Sequence, residues 1–214
     1  MTDLGARAGR PLCDRCTRPV AACICPWVRP VPSLAHLLIL QHPMEVSNAK
    51  GSARLLHMSL TNSTLLTGER FAPDVLDSAL YADGLQPLLL YPDLPGERAL
   101  GIPAPPLADP ALLEQPAQVR LVILDGTWRK SRKMLYLNPA LHAIPRLSLD
   151  AALPSHYVIR KAHAPHQLST LEAACHALGR LHGTSAPFAP LLAGFDAFVA
   201  QFQATGGKLA TSPT

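Results

Sequence analysis

Aromatic residues are scarce in this chain, at 5% of 214 residues. That argues against a sheet surface that stacks bases on exposed rings. Long apolar runs are also missing. The longest, such as Leu37 to Leu40 and Leu88 to Tyr91, are far too short to span a bilayer. Residues 1–12 lack the apolar core of a secretory signal, so the expectation is a soluble, cytoplasmic protein without a membrane partner. Acidic residues are absent from the whole stretch 126–149. That stretch follows a strand-like run ending in Asp125, and its lack of acids excludes the paired carboxylates that an aspartyl phosphotransferase needs for Mg²⁺. Charge of one sign is not extreme. The net charge is +4 with a pI near 8.9, which permits nucleic-acid binding without requiring it.

What is present begins with Leu121-Val122-Ile123-Leu124-Asp125-Gly126-Thr127-Trp128. A short apolar run of this length and β-branching reads as a buried strand. Gly126 permits a tight turn, and Thr127 is an N-cap for a helix that follows. Asp125 is therefore expected at the carboxyl end of a central strand, where open α/β sheets bind ligands. Arg129, Lys130, Arg132 and Lys133 place four cations within about one and a half helical turns.

Four of the five cysteines fall in one window, Cys13-x-x-Cys16 and Cys23-x-Cys25. In a reducing compartment, four close thiols read as a tetrahedral structural Zn²⁺ site. The alternative is a set of free or redox-active thiols. Arg7, Arg10, Arg15 and Arg18 surround the knuckle, either to contact nucleic acid or to compensate its thiolates.

Residues 26–33 are proline-rich and read as a linker. Strands are expected at about 34–41, 63–67, 87–91, 119–124, 146–149 and 156–160. Pro43 ends the first by biasing His42 away from helix. Ser47 or Asn48 then caps a helix from about Ala49 to Leu60, with Lys50 and Arg54 on one face. A short helix is expected near Val75 to Leu80 and one turn near Ala111 to Glu114. Asn138-Pro139 stops the basic helix. His163 and His166 lie in a loop, and Ser169 with Glu172 forms a capping box for a helix to about Leu181. Its apolar face makes Cys175 a core thiol. A last amphipathic helix spans 187–203. The expected fold is α/β, a mostly parallel sheet flanked by helices. The expected organisation is a four-cysteine zinc knuckle at 1–30, one catalytic domain at 31–204 and a disordered tail at 205–214.

Asp125-Gly126-Thr127-Trp128 resembles the D-x-T-W signature of the DTW-domain proteins, the tRNA-uridine aminocarboxypropyltransferases. Three further blocks match in order: the cysteine opening, Gln41-His42-Pro43-Met44-Glu45 with Lys50-Gly51-Ser52-Ala53-Arg54-Leu55-Leu56, and Tyr157-Val158-Ile159-Arg160-Lys161 with Leu168-Ser169-Thr170-Leu171-Glu172-Ala173. The resemblance implies a relation to the SPOUT class and its trefoil knot. It also implies S-adenosylmethionine as substrate, with its 3-amino-3-carboxypropyl group passing to N3 of a tRNA uridine. The variable loop is the expected place on tRNA, and 5′-methylthioadenosine leaves.

On that resemblance Asp125, Thr127 and Trp128 form the catalytic set. His42, Pro43, Glu45, Leu124, Gly126, Arg160, Lys161, Ser169 and Thr170 bind the donor. Lys50, Arg54, Arg129, Lys130, Arg132 and Lys133 hold tRNA phosphates. Asp125 is the first choice to take the uridine N3 proton, with Glu45 and Glu172 as lesser candidates. Alternatively it binds the donor's ammonium or caps the turn. Two rival activities remain open at this point, transfer of methyl from the same donor and a non-catalytic zinc-knuckle RNA-binding protein.

Overall fold

The computed structural model describes residues 11–48, 51–149 and 168–204. Lys50, Arg160, Lys161, His163, His166, the strand expected at 156–160, Arg7, Arg10 and the tail lie outside the described residues.

Five parallel strands form the sheet: β1 (His36–Gln41), β2 (Ser63–Thr67), β3 (Gln86–Leu90), β4 (Val119–Asp125) and β5 (Arg146–Leu147), in the order β2-β1-β4-β3-β5. β1 and β4 are central and covered on both faces, so Leu37–Leu40 and Leu121–Leu124 are continuously apolar rather than alternating. Leu37, Ile39, Leu121 and Ile123 enter one core cluster, whereas Leu38, Leu40, Val122 and Leu124 enter the other.

The helices are α1 (Ala53–Ser59), α2 (Pro73–Tyr81), the single turn α3 (Pro110–Leu113), α4 (Trp128–Leu137), α5 (Thr170–Leu181) and α6 (Ala189–Ala204). Leu55, Leu178 and Phe195, from α1, α5 and α6, join the first cluster. Leu76 and Leu80 of α2 and Met134 and Leu135 of α4 join the second. The expected capping box is present, with Ser169 and Glu172 each accepting a hydrogen bond from the other's backbone N–H. Cys175 is buried, and burial pushes its thiol up to about 12. Among the described residues no helix is long and apolar enough to cross a membrane.

Two local expectations differ from the structure. The first long helix starts at Ala53, not near Ala49, because Pro43–Glu45 forms a 3-10 turn and the Asn48 side chain is spent on Glu45 at 2.6 Å. The segment 26–33 is also packed rather than linker-like. Val28 and Val31 are buried, and the Trp27 indole donates to Gln201 on α6 at 2.6 Å. A Cβ on Gly194 would meet the Trp27 carbonyl oxygen at 2.6 Å, so that helix position admits only glycine without a shift.

The connections fix where a ligand can sit. β1 leads to β2 on one side, whereas β4 leads through α4 to β5 on the other. The carboxyl ends of adjacent β1 and β4 therefore form the topological switch point of the sheet, the crevice where open α/β folds bind ligands. Gln41 and Asp125 are register partners at that point.

Candidate active site and metal site

Asp125 ends β4 and is only 3% exposed. Gln41 donates from Nε2 to its Oδ2 at 2.9 Å, and Thr170 donates from Oγ1 to its Oδ1 at 2.6 Å. Thr170 is the first residue of α5. The carboxylate is thus gripped by β1 on one side and a helix start on the other, which fixes its orientation. The start of α5 is itself occupied. Besides the capping box, the Leu171 N–H donates to the buried Ser52 Oγ at 3.3 Å.

The turn after Asp125 is tight because α4 begins close to the strand. A Cβ on Gly126 would lie 3.1 Å from the Lys130 Cβ, so the glycine serves close approach here. Thr127 caps α4, its Oγ1 accepting from the Lys130 N–H at 3.4 Å. Leu124 is buried beneath the turn. Trp128 stands 52% exposed, its ring edge-on to Tyr91 at 5.7 Å.

His42 and Glu45 sit beside this crevice. The His42 Nδ1 accepts from the Met44 N–H at 3.1 Å, so its Nε2 carries the proton that goes to Glu69 at 2.9 Å. Pro43 allows that 3-10 turn by occupying its first position. Glu45 is 3% exposed and accepts from the Lys130 ammonium at 2.8 Å. Lys133 pairs with Glu69 at 3.0 Å. The hydrogen bonds from His42 and then Lys133 hold the Glu69 carboxyl below the usual range. The basic helix therefore divides. Lys130 and Lys133 turn to carboxylates of neighbouring loops, while Arg129 and Arg132 are exposed and make no ion pair among the described residues. Arg54 is half-buried on α1.

Several contributors were not legible as site residues. Glu69 lies two residues past β2, at the same edge as Asp125, and applying the strand-end argument to β2 would have found it. Tyr91, Glu97 and Arg146 form a second buried group where β3 ends and β5 begins. Tyr91 donates from its hydroxyl to Glu97 Oε1 at 2.9 Å, and Arg146 donates from Nη1 to Glu97 Oε2 at 3.1 Å and the Pro92 carbonyl at 2.9 Å. Burial, followed by the bond to Glu97, pushes the Tyr91 hydroxyl above its usual range.

The four cysteine Sγ atoms lie within 4.8 Å of one another. Cys13 to Cys23 is 3.6 Å, Cys13 to Cys25 is 3.7 Å and Cys16 to Cys23 is 3.8 Å. Four thiolates at a Zn–S length of about 2.3 Å in a tetrahedron would be about 3.8 Å apart. The cluster can therefore hold a metal ion, and its donor set fits Zn²⁺ closing a structural site. Cys16 and Ile24 are fully buried in the same cluster as Phe195 and Leu178. The Arg18 guanidinium lies over the Phe198 ring at 5.4 Å, so this arginine packs against α6.

A parallel α/β sheet with a buried, clasped carboxylate at its switch point has the ligand-binding edge of an open α/β fold, here beside a helix that carries the exposed Arg129 and Arg132. The chain belongs to the DTW-domain family, whose model matches residues 10–203. It is similar to tRNA-uridine aminocarboxypropyltransferase 2 of Mus musculus, at 34% identity over 80% of this chain and 57% of that protein. The protein of the same name from Drosophila melanogaster is 32% identical over 80% of this chain and 67% of that protein. The tRNA-uridine aminocarboxypropyltransferase A of Arabidopsis thaliana is 26% identical over 80% of this chain and 73% of that protein. The chain thus spans little more than half the length of the mouse relative. No solved structure matches it.

Proposed function

We propose that this chain is a tRNA-modifying transferase that moves the 3-amino-3-carboxypropyl group of S-adenosylmethionine to N3 of a tRNA uridine. A bond forms from N3 to the γ-carbon of the methionyl moiety. The bond from that carbon to sulfur breaks, its electron pair stays on sulfur, and 5′-methylthioadenosine leaves. The sulfonium is a good leaving group, so no acid is required at that end. The observation that carries the reading is Asp125, a buried carboxylate oriented by Gln41 and Thr170 at the switch point of a DTW-domain fold.

Uridine N3–H is a weak acid, and a positioned carboxylate is the group suited to accept its proton. Asp125 has that role in this reading. Its anchoring from two elements supports it, because proton transfer rewards a fixed acceptor. Selecting the γ-carbon over the methyl carbon is a matter of positioning, which the His42–Glu45 turn, Leu124, Gly126, Ser169 and Thr170 surround and constrain. Thr127 and Trp128 form the rim. Glu45 and Glu172 are weaker choices for the base, since Lys130 and the Ser169 capping box engage them.

The exposed Arg129 and Arg132 would take tRNA phosphates, with Lys50 and Arg54 extending the track. The relation to the knotted SPOUT class belongs to the same proposal, and the five-strand parallel order is compatible with it. The test is product analysis of the small molecule. Wild-type protein with S-adenosylmethionine should release 5′-methylthioadenosine only when uridine-bearing tRNA is added. Release of S-adenosylhomocysteine instead would replace this reading with methyl transfer. Asp125→Asn should fold, because a flipped Gln41 amide can satisfy the new side chain, and should lose turnover.

A further inference from the structure

The group under Tyr91 contains buried donors without acceptors. Arg146 has a side chain 3% exposed, and its Nη1 is committed to Pro92 and Glu97. Its Nε and Nη2 are shielded from water and have no hydrogen-bond partner. These two nitrogens form one edge of the guanidinium, whose two parallel N–H groups match the two oxygens of a carboxylate. Arg98 lies in the same group, paired with Asp93, and its Nη1 is likewise buried and unpartnered. Asp93 also approaches Arg146 Nη1, at 3.9 Å. Three shielded nitrogens lacking acceptors in one cluster are a cost that folds seldom carry without a reason.

The cluster adjoins the proposed site. Tyr91 directly follows β3, whose Leu90 is the register partner of Ile123 on β4. The Tyr91 ring covers the Arg146 guanidinium at 5.2 Å, and Trp128 of the Asp-Gly-Thr-Trp run leans on Tyr91. Trp128 is the half-exposed outer member of this stack.

Resting on the reading of the donor as S-adenosylmethionine, we infer that the Nε–Nη2 edge of Arg146, supported by Arg98 and roofed by Tyr91 and Trp128, is the subsite for the donor's α-carboxylate. The ligand class follows from the surroundings. Asp93 and Glu97 already balance the two guanidinium charges. The subsite therefore suits an anion that brings its own counter-charge, such as the ammonium beside an amino-acid carboxylate, and disfavours a dianion such as a free phosphate. A backbone phosphodiester is tied to a polymer that cannot enter beneath Tyr91. A planar monoanion on a small molecule fits both limits. The start of α5 offers little competition, since the N–H groups of Ser169, Leu171 and Glu172 are occupied.

Calorimetry with three ligands tests the assignment on the whole chain: S-adenosylmethionine, decarboxylated S-adenosylmethionine and 5′-methylthioadenosine. Wild type should bind the carboxylated ligand roughly 10- to 100-fold more tightly than the decarboxylated one, the range expected for charged hydrogen bonds. Arg146→Lys keeps the charge but loses the edge. It should reduce that preference to near unity while binding 5′-methylthioadenosine as wild type does. If Arg146→Lys fails to fold, the paired variant Arg146→Gln/Glu97→Gln removes both charges and should show the same collapse. A preference for the carboxylated ligand that survives in the folded variant overturns the assignment and leaves the transferase reading intact. Wild type that binds neither S-adenosylmethionine nor 5′-methylthioadenosine overturns the donor reading and the subsite with it.

Discussion

Replacing Thr170 by valine isolates the clasp on Asp125. The substitution keeps the branched shape and deletes the hydroxyl that donates to Oδ1 at 2.6 Å. Asp125 is 3% exposed, so water cannot readily replace the donor. A hydrogen bond to a charged group contributes about 1.5–3 kcal/mol, and leaving a buried acceptor short costs a similar amount. Valine and threonine have nearly equal helix propensity, so that contribution at the first position of α5 is negligible. The expected net loss is therefore about 2 kcal/mol, or roughly 4–8 °C in Tm for a chain of this size. Thr170→Ser retains the hydroxyl and should lose much less. Paired thermal melts of the three proteins provide the assay. Activity adds a second readout, since a mispositioned Asp125 should lower kcat more than it raises KM. Thr170→Val with wild-type Tm and wild-type kcat would refute the reasoning that this contact holds the carboxylate in place.

Other outcomes follow from the same structure. Gly194→Ala on α6 should destabilise the protein, although alanine alone gains about 1 kcal/mol of helix propensity. Its Cβ would lie 2.6 Å from the Trp27 carbonyl oxygen, and a stabilised variant in thermal melts would contradict that contact. Stripping metal with a chelator should lower Tm and adding Zn²⁺ should restore it, because the cysteine cluster shares buried Cys16 and Ile24 with the main core. Equal melts with and without chelator, for protein shown to contain the metal beforehand, would count against a structural role. Burial lowers the His36, His57 and His182 imidazoles below their ordinary range. The unfolded chain then binds protons that the folded one refuses, so stability is full above the unfolded value near 6.5 and falls as pH drops below it. Tm should be lower at about pH 5.5 than at about pH 7.5. The slope should flatten in His182→Gln, since the His182 Nε2 accepts from the Leu34 N–H at 3.0 Å and protonation removes that acceptor.

How much could be read in advance depended on whether the determinants were local. The β4 run, the Thr127 cap and the Ser169–Glu172 box are each specified within a few residues, and each formed as expected. Strand-end logic also placed Asp125, because a continuous apolar run buried on both faces has one polar end to offer. The start of α1 departs from expectation for the opposite reason. Asn48 looks like a helix cap in sequence, but its amide is claimed by Glu45, which also holds Lys130 from 85 residues away. The same distance problem hides the division of the basic helix. Four cations close together cannot reveal that Lys130 and Lys133 will find carboxylates on loops after β1 and β2. Arg146 and Glu97, which meet across 49 residues, carry no local signal beyond a charge on a short strand. Asn138 reads in sequence only as a helix stop. It also ties α4 to the loop after β2, accepting from the Phe71 N–H at 2.9 Å and donating to the Glu69 carbonyl at 3.0 Å.

The most direct test of the central claim is mass spectrometry of nucleosides from unmodified tRNA incubated with the purified protein and S-adenosylmethionine, alongside Asp125→Asn. The account predicts a uridine heavier by one aminocarboxypropyl group with wild type and none with the variant. A methylated nucleoside, or no modified nucleoside from any tRNA while the protein still binds the donor, would contradict it.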